Sequence, residues 1–432
     1  MLGCTGRYED LVNGEDCSAV AERAFGHEGL GIAVVTGVPG IAEARRELFA
    51  LGHKFATLPE ETRARYEHPT SSFSFGWSYG KETLEAGRPD LAKGSFYANP
   101  CFDAPFGEGK AASGGAGGTT GAAGAAEAAA AAEAVERYPS FAHPNIWPDS
   151  DVPGFSQAFK KLGRAVVRVG ELVGRQCDRY IAAVHPGYEE GKLSRIISAS
   201  RCPKGRLLHY FPRNSPLESD ASGNSAGTGG GDGAAGGGGA ITSTMAVDAG
   251  GGSSASAGGA GAGAGAEDDG AFSDWCGWHH DHSSLTGLVP AMFLDVEGKE
   301  IASSDPRCGL YIRSRLQGEL VKATLPPGEP ASSCLLFQIG ETTQVLSGGA
   351  LQATPHAVRS TSQEGVSREA FAVFMQPEWG ESMDVPRGTQ LSSVRSLHSK
   401  SLLPREAAPI TERLRPGMDF GEFTEATFAA YY

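Results

Sequence analysis

Trp278-His279-His280-Asp281-His282-Ser283-Ser284-Leu285-Thr286-Gly287-Leu288 holds the densest group of potential metal ligands in the chain. On a β-strand, residues i and i+2 project to one face, so His279 and Asp281 can reach the same ion while His280 turns away. An alternative register pairs His280 with His282. An imidazole and a carboxylate on one face, completed by a distant histidine, leave adjacent coordination positions open, as an oxygen-activating iron requires. The same spacing also occurs in polar turns with solvated histidines, so the neighbouring sequence has to decide.

That neighbourhood is β-rich. From Arg206 onward short runs of β-branched, aromatic and alternating residues follow one another: RLLHYFP, SLTGLVPAMFLD, GLYIRS, ELVKATL, SCLLFQIG, TTQVLS, LQATPHAVRS and REAFAVFMQ. Gly, Pro or Ser clusters separate most of them, which predicts an antiparallel sandwich or barrel. Upstream the texture is helical. Phe155, Phe159, Leu162, Val166, Val169, Val173, Cys177 and Tyr180 recur every three or four positions, the stripe of a long amphipathic helix packed on a sheet. Before it, Gly31 to Val38 reads as a strand, Ile41 to about Leu58 as a helix, and Pro59 or Glu60 to Tyr66 as a second helix with acidic residues at its N-terminus. The closing FGEFTEATFAAYY reads as one more helix, flanking the barrel. A helical first part and a β-rich second part make an α+β chain.

Two stretches break the pattern, about 107–136 and about 218–270, dominated by Gly and Ala with Ser in the second. Neither can bury enough apolar surface to offset its ordering entropy, so both read as surface insertions, although the alanine-rich end of the first could form a helix. The second ends just before Asp274-Trp275-Cys276-Gly277-Trp278; it is either an expansion loop or the tether of a lid. The expected division is 1–104 for an N-terminal extension of helices and strands, 105–136 for the first insertion and 137–217 for the long helix and first barrel strands. Residues 218–271 are the second insertion, 272–380 the catalytic core and 381–432 a C-terminal segment with a helix.

Bulk numbers narrow the function. The chain has 432 residues with 61 glycines, a formal charge of -14 and no Lys/Arg run long enough to follow a phosphate backbone, which argues against a nucleic-acid partner. No apolar run reaches the roughly 18 to 20 residues that span a bilayer, so no membrane role is expected. Eight cysteines are scattered with no CxxC pair, as for reduced thiols in a cytoplasmic protein. GEGK at Gly107 to Lys110 lacks the flanking residues of a phosphate-binding loop.

Read on from His279, the His-x-Asp-x-x-x-Leu-Thr pattern resembles the signature of the isopenicillin N synthase-like branch of the 2-oxoglutarate/iron(II) dioxygenases, and this selects the His279 register. Ile339-Gly340-Glu341 is similar to the family's IGD-like step, Val345-Leu346-Ser347-Gly348-Gly349 to its strand ending in SNG, and Thr354-Pro355-His356-Ala357-Val358 to its second-histidine strand. GIAVVTGVPG, the helix through LFALGHKFATLPEETRARY and Phe75-Gly76-Trp77-Ser78-Tyr79-Gly80 resemble the helical extension that precedes the family's barrel. The resemblance implies a double-stranded β-helix (jelly-roll) barrel, iron(II) on His279, Asp281 and His356, and 2-oxoglutarate as co-substrate. It implies O2 and a small organic molecule as the other reactants, with hydroxylation or desaturation as the outcome. A monomer is the expected state.

Arg368 supports the arrangement. If Ser362 to Val366 turns a hairpin centred on Glu364, Arg368 lies opposite Ser360, four residues or about 13 Å along from His356 at ~3.3 Å per residue. A five-carbon diacid held by the metal at one end and a guanidinium at the other spans that gap. The family has Arg-x-Ser here, whereas this chain has Arg368-Glu369-Ala370. The span from Asp281 to His356 is also longer than usual for the branch, and loops near Gly298 to Pro306 and Pro326 to Ser333 could absorb the excess. Leu207-Leu208-His209-Tyr210-Phe211-Pro212 resembles the NxY strand followed by proline. Aligned on Pro212, the tyrosine falls on Phe211 with Tyr210 beside it, so either aromatic could line the co-substrate pocket.

Three alternatives stay open: a non-catalytic binding protein on the same barrel, an iron oxidase that does not use 2-oxoglutarate, and a zinc hydrolase using Cys276 with His279 and Asp281.

Overall fold

A computed structural model describes residues 4–81, 89–106, 129, 132–212, 276–303, 305–315, 318–359, 361, 363–394 and 409–431. The second insertion, most of the first, and with them the lid reading lie outside these residues, as do Ser360 and the Cys276 side chain.

The described chain is α+β, and its strands pair into two sheets. In chain order they are β1 (Thr5–Arg7), β2 (Ile32–Thr36), β3 (Gly76–Tyr79), β4 (Lys93–Ala98), β5 (Lys204–Tyr210), β6 (Cys276–His279) and β7 (Leu285–Leu294). There follow β8 (Glu300–Ile301), β9 (Gly309–Arg313), β10 (Leu320–Lys322), β11 (Leu335–Ile339), β12 (His356–Arg359) and β13 (Ser367–Met375). The large sheet has nine strands, in the order β1-β2-β11-β7-β13-β5-β4-β3 with β8 on β7, and the small one has the order β10-β9-β12-β6. Among the described strands only β1 and β2 run parallel. Neither sheet closes on itself by hydrogen bonds between described residues.

The long amphipathic helix forms as read, over Phe155–Val184, and its predicted stripe is buried from Phe155 to Cys177. It lies close against the large sheet because both surfaces carry glycine: a Cβ on Gly287 of β7 would meet the Val166 side chain, and one on Gly170 would meet Met375. Helix Ile41–Ala56 packs beside it, and together they cover one face of the large sheet with a core of Phe49, Phe55, Phe96, Phe159 and Phe337. No described helix is long and apolar enough to cross a membrane. The seven described cysteines are unpaired.

Residues 1–104, read as an extension of helices and strands, supply four strands to the large sheet. Two sequence readings are corrected here. TTQVLS, expected as a strand, belongs to a helix, Glu341–Leu346. Six residues are too few for periodicity to separate the two, and tertiary bonds decide: Thr342 Oγ1 donates to the His282 carbonyl and Gln344 Nε2 to that of Val394. Finally, β12 and β13 do not form a hairpin ladder. β12 pairs with β6 and β9 in the small sheet, while both edges of β13 are taken by β5 and β7 in the large one. Arg368 therefore has Tyr210 and Phe293 as register partners, not Ser360.

Candidate metal centre

β6 and β12 run antiparallel with His279 directly opposite His356, and the two imidazoles stand 4.2 Å apart, centroid to centroid. Asp281 follows two residues after His279, where β6 has ended and the chain turns toward β7. Its Oδ1 lies 3.9 Å from His279 Nε2 and 3.7 Å from His356 Nε2. One ligand atom from each of the three residues fits within 4.8 Å of the others, and all three side chains are buried.

The donor atoms are already set for a metal. His279 Nδ1 is 2.8 Å from the Gly277 carbonyl and His356 Nδ1 is 3.1 Å from that of Thr354. A carbonyl only accepts, so each Nδ1 carries the proton and each Nε2 presents its lone pair toward Asp281. Burial and the neighbouring His279 push the His356 imidazole down to about 4, which keeps it neutral and able to ligate at ordinary pH. Asp281 Oδ2 is buried with no hydrogen-bond partner. A buried carboxylate oxygen without a donor is costly, and a bound cation removes that cost.

The loop carrying Asp281 is pinned from behind. Glu341 N donates to the Asp281 carbonyl at 2.8 Å, and a Cβ on Gly340 would overlap the Ser283 carbonyl, so this close approach needs glycine. His280 and His282, the alternative pair, face away from the centre: each places Nδ1 3.6 Å from the buried Glu341 carboxylate. Arg413 completes that cluster with bonds of 2.7 and 2.9 Å to the two Glu341 oxygens. Burial pushes the Glu341 carboxyl up, but the Arg413 charge with its two hydrogen bonds, and the His280 and His282 imidazoles nearby, outweigh it and hold the group well below the usual range. The C-terminal helix, Phe420–Tyr431, closes over His282 through Phe420, Phe423 and Thr424. Arg413 was not singled out from the sequence, because nothing local marks an arginine whose partner lies 72 positions away.

His279, Asp281 and His356 open into a cavity of about 340 Å³ between the two sheets. Period-2 alternation explains its wall. Arg206, Leu208 and Tyr210 on β5, and Arg368, Ala370, Ala372 and Phe374 on β13, all face it. Leu310 and Val358 close the small-sheet side. The Arg368 guanidinium lies 4.8 Å from the Tyr210 ring centroid, in range of a cation–π contact. The structure thus brings Tyr210 and Arg368 into one cavity with His279, Asp281 and His356. Phe211 is not there. By the same alternation it turns to the helix-covered face, edge-on to Tyr79 and His209.

No protein-family model and no curated protein matches the chain. Solved structures do. A 2OG-Fe(II) oxygenase family protein from Caulobacter crescentus aligns over 98% of this chain and 96% of its own, at 14% identity and a TM-score of 0.54. A full-length Neurospora crassa protein, solved in complex with alpha-KG and thymine, aligns over 99% of this chain and 96% of its own, at 17% identity and a TM-score of 0.54. JOX2, in complex with 2OG, Fe and JA, aligns over 98% and 84%, at 14% identity and a TM-score of 0.51. Identities this low establish the fold, and the chain has the fold of the 2OG-Fe(II) oxygenases.

Proposed function

We propose that the protein is an iron(II)- and 2-oxoglutarate-dependent oxygenase of a small organic substrate, with the two sheets acting together as a double-stranded β-helix. The observation that carries this reading is the convergence of His279 Nε2, His356 Nε2 and the unpartnered Asp281 carboxylate at one end of a cavity that also holds Arg368. Two imidazoles and one carboxylate are the donor set that non-haem iron(II) takes while keeping positions open. Bound iron, with 2-oxoglutarate and O2, supplies the oxidising chemistry: the co-substrate leaves as succinate and CO2 and a C–H bond of the substrate is oxidised.

The chain's own residues hold and orient. Gly277 and Thr354 carbonyls fix the imidazole tautomers, and the Gly340 turn fixes Asp281. Arg368, steadied against Tyr210, offers a fork of donors to the distal carboxylate of 2-oxoglutarate. Ala370, two residues on, faces the cavity without the hydroxyl that would share that carboxylate, a loss of about 1 kcal/mol of binding. The apolar wall formed by Leu208, Leu288, Leu310, Leu336 and Val358 excludes water and favours a substrate with a hydrophobic body.

Anaerobic titration with iron(II) and then 2-oxoglutarate tests the proposal. The expected result is a visible charge-transfer band at one co-substrate per chain, followed by succinate release on admitting O2. A folded protein that binds iron and gives neither overturns it. A band absent from wild type, with substrate turnover unchanged in R368A, would instead identify an iron oxidase that does not use 2-oxoglutarate.

A further inference from the structure

Alternation on β5 and β13 has a second product, on the face of the large sheet that looks away from the cavity. Tyr210 and Arg368 face the cavity, so their neighbours His209 and Glu369 face the helices. There they meet His53 of helix Ile41–Ala56. His209 Nδ1 lies 2.6 Å from Glu369 Oε1, His53 Nδ1 lies 3.6 Å from the same oxygen, and the three side chains can bring one ligand atom each within 4.8 Å of the others.

From this we infer that His53, His209 and Glu369 form a second metal site, for a divalent cation that accepts two imidazoles and a carboxylate. It stands independently of the function proposed for the cavity. Glu369 is completely buried, and its other oxygen, Oε2, has no hydrogen-bond partner; His209 Nε2 is also buried without one. The groups that meet this carboxylate are therefore the two imidazoles, with no lysine or arginine paired to it among the described residues. Burial pushes the Glu369 carboxyl up, yet His209 and His53 outweigh it, so an anion is held inside the protein between two groups that are metal ligands whenever they are neutral.

The distances suit a small cation. Ligand bonds of about 2.0–2.1 Å in a tetrahedral site set the ligand edges near ~3.3 Å. The 3.6 Å edge between His53 and Glu369 is close to that already, and the 2.6 Å hydrogen bond between His209 and Glu369 opens by under ~1 Å as the ion takes the place of the shared proton, with neutral His209 binding through Nδ1 and carrying its proton on Nε2. A fourth position is available on the His53 side. His53 is the one partly exposed member, with 18% of its side chain accessible, and Ser367 Oγ lies 3.4 Å from its Nδ1. Gly298, in the turn between β7 and β8, sits against the His53 ring where a Cβ would crowd it.

The test uses the full chain with the first centre disabled. H279A/D281A, stripped of metal and titrated with Zn2+, is expected to bind one equivalent tightly, and the wild type two. Adding H53Q at the exposed edge is expected to weaken the remaining equivalent at least about 100-fold, since loss of even a supporting partner of a ligand costs about 10- to 100-fold. E369Q should do the same, and Co2+ in place of Zn2+ should report nitrogen and oxygen ligation by its visible absorption in H279A/D281A. A folded H279A/D281A chain with no tight zinc overturns the inference and leaves a buried imidazole–carboxylate pair. Zinc retained undiminished in H279A/D281A/H53Q overturns it equally.

Discussion

Arg368 and Tyr210 are register partners on adjacent strands, and the guanidinium of the first rests 4.8 Å from the ring centroid of the second. The arginine is thus aimed by its neighbour as well as by its own strand. R368A removes a charge-assisted contact of about 1.5–3 kcal/mol and should raise the dissociation constant for 2-oxoglutarate roughly 10- to 150-fold. Y210L removes only the ring, worth about 0.5–2 kcal/mol, and should cost about two- to thirtyfold while leaving iron binding unchanged. Titration of the charge-transfer band measures both; equal affinities in R368A and wild type would remove Arg368 from the site.

Ala370 occupies the cavity wall one turn of the pleat beyond Arg368. A370S places a hydroxyl beside the guanidinium, and the added hydrogen bond of about 0.5–1.5 kcal/mol should tighten 2-oxoglutarate binding by about two- to twelvefold. Weaker binding in A370S would mean that the space is already filled by another part of the ligand.

Metal should stabilise the fold through Asp281. A cation at about one hundred times its dissociation constant adds about 2.7 kcal/mol by mass action, enough to raise the thermal midpoint of a chain this size by roughly 3 to 5 °C. Mn2+, which does not turn over, is the convenient probe. The rise should shrink by about that amount in D281A, and scanning calorimetry with and without the ion would reveal it; an undiminished rise would place the stabilising ion elsewhere.

The Arg413–Glu341 pair makes a pH-dependent prediction. Breaking a buried pair costs about 3–5 kcal/mol, and R413A should lose that much near neutral pH in urea unfolding. In the wild type Glu341 is held below its unfolded value of about 4.3, so its contribution is present above that pH and is lost as pH falls through the folded value. In R413A the cation is gone and burial pushes the carboxyl up, so acid protonates Glu341 and relieves the variant's defect. The gap between the two proteins should therefore narrow from about pH 7 toward about pH 4. A gap that widens on acidification would contradict this account.

The candidate ligands were legible because each sits in a local pattern: an i, i+2 pair for His279 and Asp281, although β6 ends at His279 and Asp281 lies just past it, and a short proline-histidine run for His356. The long helix was legible for the same reason, its stripe repeating over many turns. What the sequence concealed was pairing. Tyr210 and Phe211 are indistinguishable as neighbours until β5 has a register, and then the odd and even positions part to opposite faces. Residues 93–98, KGSFYA, hide a buried strand behind a lysine, and the Asp90 carboxylate 2.6 Å from Lys93 explains how it tolerates burial. Glu341–Leu346 took helical form against its Thr and Val content because its contacts come from far along the chain.

The short link from β12 to β13 carries the chain from the sheet that bears His356 to the sheet that bears Arg368. The distance between the candidate metal centre and Arg368 is therefore the gauge of a vice whose jaws are two stacked sheets, normally about 10 Å apart, and not a length measured out along one strand. Lengthening or shortening that link should leave the gauge untouched, whereas trimming a bulky side chain clamped between the jaws should change which diacid they grip.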